Sequence, residues 1–312
     1  MKNYCIGIDL GGTTVKFGLF YSTGELIEKW EIPTRKENNG TYIIPDIAES
    51  IKSKLFEKNI AVEEVEGAGI GVPGPIRNNG FVPTCVNLGW SDRNPANELS
   101  ELLGIPVKGA NDANVAALGE MWKGGGKGFS NVVMITLGTG VGGGVILNGQ
   151  IIAGNRGIAG ELGHIRVNTN ETEVCNCKNY GCLEQYASAT GVVKVAKRLL
   201  ENSNQANSLL SNLDNITAKD VFDAAKSGDL LAVEATEILG KYLGMVMATV
   251  SLTVDPDVFV IGGGVSKAGE FLLDLIQKKY KEAVTISSDV AVVRLAELGN
   301  DAGIYGAAKM AL

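Results

Sequence analysis

YCIGIDLGGTTVKFGLF, Tyr4–Phe20, is the stretch whose reading decides the fold. Its first half, Tyr4–Leu10, is an apolar run that reads as a buried strand. In the second half Val15, Phe17 and Leu19 alternate with Lys16 and Gly18, and a period of two is a strand signature. Gly11-Gly12-Thr13-Thr14 is therefore the turn of a hairpin. A dinucleotide-binding or Walker-type loop opens a helix, whereas this one opens a second strand, and no G-x-x-x-x-G-K-[ST] occurs in the chain. The pattern returns in VVMITLGTGVGGGVIL, Val132–Leu147, which lies over Cys5–Phe20 with Leu137-Gly138-Thr139-Gly140 on Leu10-Gly11-Gly12-Thr13. Strand, Gly/Thr turn and returning strand thus occur twice. That is an internal duplication, with one α/β domain expected per copy.

The composition is consistent with two domains. The chain has 312 residues, of which 45% are hydrophobic, and its 41 glycines cluster in short runs where backbone must approach something closely. A net charge of -7 argues against nucleic acid as a partner, since a phosphate backbone needs a basic face. No basic segment followed by an apolar one opens the chain, so a secreted precursor is not expected. The longest apolar run, Gly244–Val254, is too short to span a bilayer, so no membrane partner is expected either. Three of the five Cys share one loop with the only His, which is metal-ligand usage in a reducing compartment and points to the cytoplasm.

Further elements follow from local pattern. Arg35–Gly40 reads as a solvated loop and Asp46–Lys58 as an amphipathic helix. Gly67–Val72 reads as a strand stopped by Pro73-Gly74-Pro75. Ile105–Ala110 is a further strand, and a helix runs from Asn111-Asp112 through Met121. KGGGKG, Lys123–Gly128, reads as a flexible boundary between the copies. Helices are expected over Ser188–Asn202, Thr217–Lys226 and Leu230–Met247. Val258–Ile261 is a strand ending in Gly262-Gly263-Gly264, with a helix from about Lys267 and a last one over Gly303–Leu312.

Four groups of residues carry chemistry. Asp9 ends an apolar strand, where an unpaired carboxylate is costly. Beside Gly11, Gly12, Thr13 and Thr14, whose N–H groups and hydroxyls converge on an anion, it suits a hydrated Mg²⁺. Together with Gly138, Thr139 and Gly140 in the second copy, these residues point to a nucleotide held by two hairpins. Lys16 is either an outward strand residue or a phosphate contact. Asn111 and Asp112 stand at a strand-to-helix junction, where both are ordinary caps; at the mouth of a cleft between the copies, Asp112 can also accept a hydroxyl proton during phosphoryl transfer. His164, Cys175, Cys177 and Cys182 form a Cys₃His set whose softness favours Zn²⁺, and four protein ligands make that zinc structural. Glu161 and Glu184 flank the set as hydrogen-bonding partners for hydroxyls. Gly263 and Gly264 suit the adenosine side of a nucleotide or close helix packing. Cys5 and Cys85 read as buried, inert thiols.

Taken together these residues resemble the ROK family of sugar kinases and repressors, over essentially the whole chain. The shared motifs are IDLGGTT, GVPGP at Gly71–Pro75, NDAN at Asn111–Asn114, LGTGVGGG at Leu137–Gly144, GELGH at Gly160–His164, and CNCKNYGCLE at Cys175–Glu184. Lys178 stands where the family usually has Gly, so a changed loop conformation around an intact zinc site is expected. VNLGW at Val86–Trp90 is similar to the bacterial glucokinase branch.

The resemblance implies an α/β, two-domain actin-like (ribonuclease H-like) ATPase fold with duplicated β-hairpin phosphate loops and an interdomain cleft. The domains expected are 1–117 plus 303–312, carrying the first phosphate loop and Asp112, and 118–302, carrying the second and the zinc loop. It also implies ATP with Mg²⁺, structural Zn²⁺, glucose as substrate and a homodimer. By matching position, Asp112 would be the base for the sugar 6-hydroxyl, with Asn111, Gly74, Glu161, His164 and Glu184 around the sugar. Gly12, Thr13, Gly138 and Thr139 would hold phosphates, and Gly263 and Gly264 would face the adenosine. A kinase for N-acetylmannosamine, mannose or fructose shares this set. A sugar-responsive regulator of the family carries a basic helix-turn-helix module before the first strand, which here starts at Tyr4.

Overall fold

The computed structural model describes residues 2–77, 79–202 and 208–312. In chain order the strands and helices of the first part are β1 (Tyr4–Leu10), β2 (Thr14–Tyr21), β3 (Leu26–Pro33), α1 (Glu37–Gly40), α2 (Ile43–Glu57), β4 (Val65–Val72), β5 (Val82–Cys85), β6 (Trp90–Arg93), α3 (Pro95–Leu103), β7 (Val107–Asn111) and α4 (Asp112–Lys123). They continue as β8 (Val132–Leu137), β9 (Val141–Leu147), β10 (Gln150–Ile151), α5 (Glu184–Ala187), α6 (Ala189–Asn202), α7 (Ala218–Lys226), α8 (Leu230–Val254), β11 (Val258–Gly262), α9 (Glu270–Ala283), β12 (Val292–Leu295) and α10 (Ala302–Ala311). One five-stranded sheet has the order β3-β2-β1-β4-β7 and the other β10-β9-β8-β11-β12. In each, an antiparallel hairpin is followed by two strands parallel to its first strand. The repeated Gly/Thr hairpin therefore belongs to a repeated sheet.

The chain divides into two compact units, Met1–Ser130 with Gly144–Gly160 and Glu297–Leu312, and Asn131–Gly143 with Glu161–Ala296. These bounds differ from those expected from the sequence. The helix that starts at Asp112 runs unbroken to Lys123, so no boundary falls at 117. Nor is KGGGKG a flexible linker. Gly124–Gly126 are buried, the N–H groups of Gly124 and Gly126 donate to the Glu120 carbonyl, and that of Gly125 donates to the Glu120 carboxylate at 2.9 Å. Glu120 is fully buried, and its carboxylate also accepts from the N–H groups of Glu297 and Leu298. One carboxylate thus fixes both the loop before β8 and the returning chain.

In the first unit, alternation along β1 builds two faces. Ile6, Ile8 and Leu10 pack under Ile44, Ile47 and Ile51 of α2 and Leu99 of α3. Cys5, Gly7 and Asp9 face the other way, toward α10. A Cβ at Gly7 would overlap the Ile304 carbonyl, and one at Gly69 of β4 that of Ala307, so these glycines let α10 lie directly on the sheet. Arg35–Gly40 is a turn closed by α1, with Asn38 and Asn39 both at positive φ.

In the second unit β8, β11 and β12 form a fully parallel set, and α8 packs against α6, α7 and α9. This helix runs seven residues past the expected end, to Val254. At 25 residues it is long and apolar enough to cross a membrane by length and composition alone, contrary to the expectation from its longest apolar run. Leu231, Leu239, Leu243 and Met247 of α8 are nonetheless buried.

Candidate active site and metal centre

Asp112 begins α4 because Asn111 caps it. The Asn111 Oδ1 accepts from the N–H groups of Ala113 and Asn114 at 3.0 and 3.1 Å, so the bland capping role is real. Its Nδ2 donates to the Gly74 carbonyl at 3.1 Å and to Asp112 Oδ1 at 3.0 Å, and the Ala113 N–H donates to the same Oδ1 at 2.8 Å. One side chain therefore fixes a half-buried carboxylate and ties it to the Pro73-Gly74-Pro75 turn, where Gly74 has φ +89°.

At the end of β1, Asp9 pairs across the ladder with Lys16 of β2 and lies against Gly303 in the first turn of α10. Burial raises its pKa, and the Lys16 charge only partly opposes this. A cation delivered to this carboxylate would relieve the penalty, which fits a hydrated Mg²⁺. The hairpin turn beyond it is fixed by the Gly11 N–H to the Thr14 carbonyl, and by Thr34, whose hydroxyl and N–H reach the carbonyls of Gly11 and Thr13. Lys16 Nζ also contacts the Asn300 carbonyl at 3.4 Å.

The second turn is closed more tightly, with the Gly138 N–H donating two residues on to the Gly140 carbonyl at 2.9 Å, where the first reaches three residues on. The Ala189 N–H and the Thr190 hydroxyl at the start of α6 hold the carbonyls of Gly138 and Thr139. Glu184 Oε2 accepts from the Val141 N–H at 3.1 Å, and its Oε1 lies 3.7 Å from Cys175 Sγ. A Cβ on Gly140 would overlap that carboxylate, so Gly140 keeps open the seat from which Glu184 joins the turn to the cysteine loop. Gly263 has φ +85°, and a Cβ there would lie 2.5 Å from the Leu137 carbonyl, so it packs tightly where β8 ends. Beyond it comes a 3₁₀ turn, Gly264–Ala268, with α9 starting only at Glu270. The helix expected from about Lys267 thus starts three residues later, after Gly269 at φ +71°.

His164, Cys175, Cys177 and Cys182 bring their ligand atoms within 4.8 Å of one another. Cys175 Sγ is 3.9 Å from His164 Nδ1, and Cys177 Sγ is 3.5 Å from Cys182 Sγ. Tetrahedral Zn²⁺ with ordinary Zn–S and Zn–N bonds has edges of about 3.6–3.8 Å, so the set fits the ion. The crowding shows in the Cys182 thiol, pushed up to about 12 by burial and by its Cys177 and Cys175 neighbours. Lys178 has φ +70°, in the left-handed region that favours glycine. Lys178 thus keeps the backbone conformation a Gly would take, at a local strain of about 1 kcal/mol, so the changed conformation expected at this position is not seen, and the four ligand atoms still converge.

Other residues that shape this loop gave no motif signal. Glu171 is buried, receives both Arg198 Nη atoms at 2.7 and 3.1 Å and the Tyr186 hydroxyl at 2.6 Å, and is pulled down to about 2, chiefly by Arg198. Gln185 Oε1 accepts from the Cys182 N–H, and its Nε2 donates to the Glu173 carbonyl. The acidic spacing Glu171-x-Glu173 before the cysteines was the available clue. Cys5 is pushed up to about 12 by burial and Cys85 is raised by burial, as inert thiols should be. Glu161 is exposed at the head of the Leu162–His164 turn. Of the residues singled out, Asp9, Gly74, Asn111 and Asp112 lie in the first unit, and Gly138–Gly140, Glu161, His164, the three cysteines, Glu184, Gly263 and Gly264 in the second.

A model of the ROK family matches residues 5–312. The glucokinase of Halalkalibacterium halodurans is 43% identical over 305 residues, covering 96% of this chain and 92% of that one. A ROK family glucokinase from Streptomyces griseus, solved in complex with glucose and AMPPNP, is 34% identical, with a TM-score of 0.72 over 98% of each chain. A ROK hexokinase from Thermus thermophilus has a TM-score of 0.81 at 30% identity, over 98% of this chain and 96% of that one.

Proposed function

The chain belongs to the ROK family, and from that premise we propose that it is an ATP-dependent glucokinase. It transfers the γ-phosphoryl group of ATP to the 6-hydroxyl of glucose. Its duplicated sheets are the α/β, actin-like (ribonuclease H-like) ATPase fold. One observation carries the substrate assignment: a relative similar over 98% of both chains holds glucose and an ATP analogue together.

In this reading Asp112 is the general base. Its Oδ1 is held by Asn111 and the Ala113 N–H, so the carboxylate is oriented before the sugar arrives, and it accepts the 6-hydroxyl proton as the oxygen attacks phosphorus. Asn111, Gly74, Glu161, His164 and Glu184 hydrogen-bond the sugar. Gly11, Gly12, Thr13 and Thr14, with Gly138, Thr139 and Gly140, offer backbone N–H groups to the phosphates, Lys16 adds positive charge, and Gly263 and Gly264 stand toward the adenosine. Asp9 would hold hydrated Mg²⁺ through water, and that ion, when bound, neutralises phosphate charge. Zn²⁺, held by His164 and the three cysteines, anchors the His164 ring.

The protein is proposed to act as a cytoplasmic homodimer, and three thiols kept for a metal suit a reducing compartment. The acidic chain does not suit nucleic acid. An ADP-coupled assay of several hexoses against ATP, ADP and polyphosphate tests the reading. Glucose with ATP should give the highest kcat/KM, and a higher value for N-acetylmannosamine, mannose or fructose would reassign the sugar.

A further inference from the structure

The first unit contains a cavity of about 580 Å³ that none of the residues assigned to catalysis or to sugar and nucleotide binding lines. Its size is within the usual span of small-molecule sites, roughly 300–1,000 Å³. The wall carries three cations, Arg77, Lys108 and Lys309, and three amides, Asn79, Asn97 and Gln150. No acidic side chain is among the described residues that line it. That positive charge stands out on a chain of net charge -7. Gathering like charges is unfavourable without an anion, and the concavity focuses their field on whatever enters.

Parts of the wall are already ordered. The Arg77 N–H donates to the Phe81 carbonyl and the Gly80 N–H to that of Arg77, closing a tight turn, and Asn94 Nδ2 donates to the Asn79 carbonyl. The Arg77 guanidinium lies over the Phe81 ring at 5.3 Å, which orients it without neutralising it. The two sides of the cavity also lead to the catalytic carboxylate. Arg77 follows the Pro73-Gly74-Pro75 turn, and Lys108 lies on β7, which ends in Asn111. The Asn111-to-Gly74 hydrogen bond joins these two segments beside Asp112.

We propose that this cavity is an effector site for a small sugar phosphate, its cations taking the phosphate and its amides the hydroxyls. The sugar part of this assignment rests on the kinase reading, whose product belongs to that chemical class. An occupant bridging Arg77 and Lys108 pulls on both segments that hold Asp112, so it changes turnover without competing with glucose.

The test titrates glucose 6-phosphate calorimetrically into the chain already saturated with glucose and a non-hydrolysable ATP analogue, so that the product's own place is filled. One saturable site per chain is expected. Arg77→Ala and Lys108→Ala should each weaken it at least about tenfold, as befits a lost charge-assisted contact. Inorganic phosphate should bind at least about tenfold more weakly than the sugar phosphate. Both variants should keep the initial rate with glucose and ATP, measured before glucose 6-phosphate accumulates, within about twofold of wild type, which also shows that they fold. The proposal is overturned by absence of a second site, by binding that the variants leave unchanged, by inorganic phosphate binding equally well, or by loss of basal turnover in the variants. Failure of glucose and the analogue to bind would instead count against the kinase reading, and the same titration on the free chain would still decide the cavity.

Discussion

Gly140→Ala isolates the link between the second phosphate turn and the zinc loop. The new methyl would overlap Glu184 Oε2 and lie 3.0 Å from its Cδ. A carboxylate at the end of a flexible side chain can swing away, so the fold survives. Swinging away breaks the hydrogen bond from the Val141 N–H, at a cost of about 1 kcal/mol in stability. With Glu184 in its proposed place at the sugar, the functional cost is larger. Losing a hydrogen bond made by a charged group, at about 1.5–3 kcal/mol, corresponds to roughly 10- to 150-fold in kcat/KM for glucose. Steady-state kinetics on Gly140→Ala, Glu184→Ala and the double variant provide the assay. If the methyl acts through Glu184, the double variant is no worse than Glu184→Ala alone. Additive losses, or a kcat/KM within twofold of wild type for Gly140→Ala, would refute the reasoning.

Cys177→Ser should reduce bound zinc from about one per chain toward none and raise the glucose KM more than it lowers kcat, since His164 loses its anchor; wild-type protein without zinc in elemental analysis would remove the basis for this. Lys178→Gly should relieve the left-handed strain and stabilise the chain by up to about 1 kcal/mol with zinc content unchanged, measured by denaturant unfolding, whereas a less stable variant would contradict the strain assignment. The Glu171 carboxyl, held down to about 2 by Arg198, lends stability that is complete above its ordinary value of 4.5 and is lost as pH falls through about 2. The stability gap between wild type and Arg198→Gln should therefore narrow as pH falls across that window, and a gap constant with pH would show that the pair does not act through ionisation.

Local pattern was enough where backbone period and turn chemistry coincide. The hairpins Tyr4–Tyr21 and Val132–Leu147 were readable because alternation and Gly/Thr turns repeat, and the two sheets then follow the same strand order. The metal set was readable because four ligands fall within nineteen residues, His164 to Cys182. Long-range partners were not readable. Glu120 looks like one more helix acid, yet Glu297 and Leu298, far along the chain, make it the fixed point that turns KGGGKG from a linker into a packed loop. The Glu171–Arg198 pair is hidden for the same reason, its partners lying 27 residues apart. The tight seat of Gly263 was not readable either, because its close contact with Leu137 exists only once β8 and β11 pair.

The central claim is that Asp112 removes the proton from the sugar hydroxyl. Its most direct test is the kcat of Asp112→Asn with glucose and ATP, measured beside the glucose dissociation constant of the same variant. Asp112→Asn should lower kcat roughly 10²- to 10⁴-fold with glucose binding largely intact. A kcat near the wild-type value would contradict it.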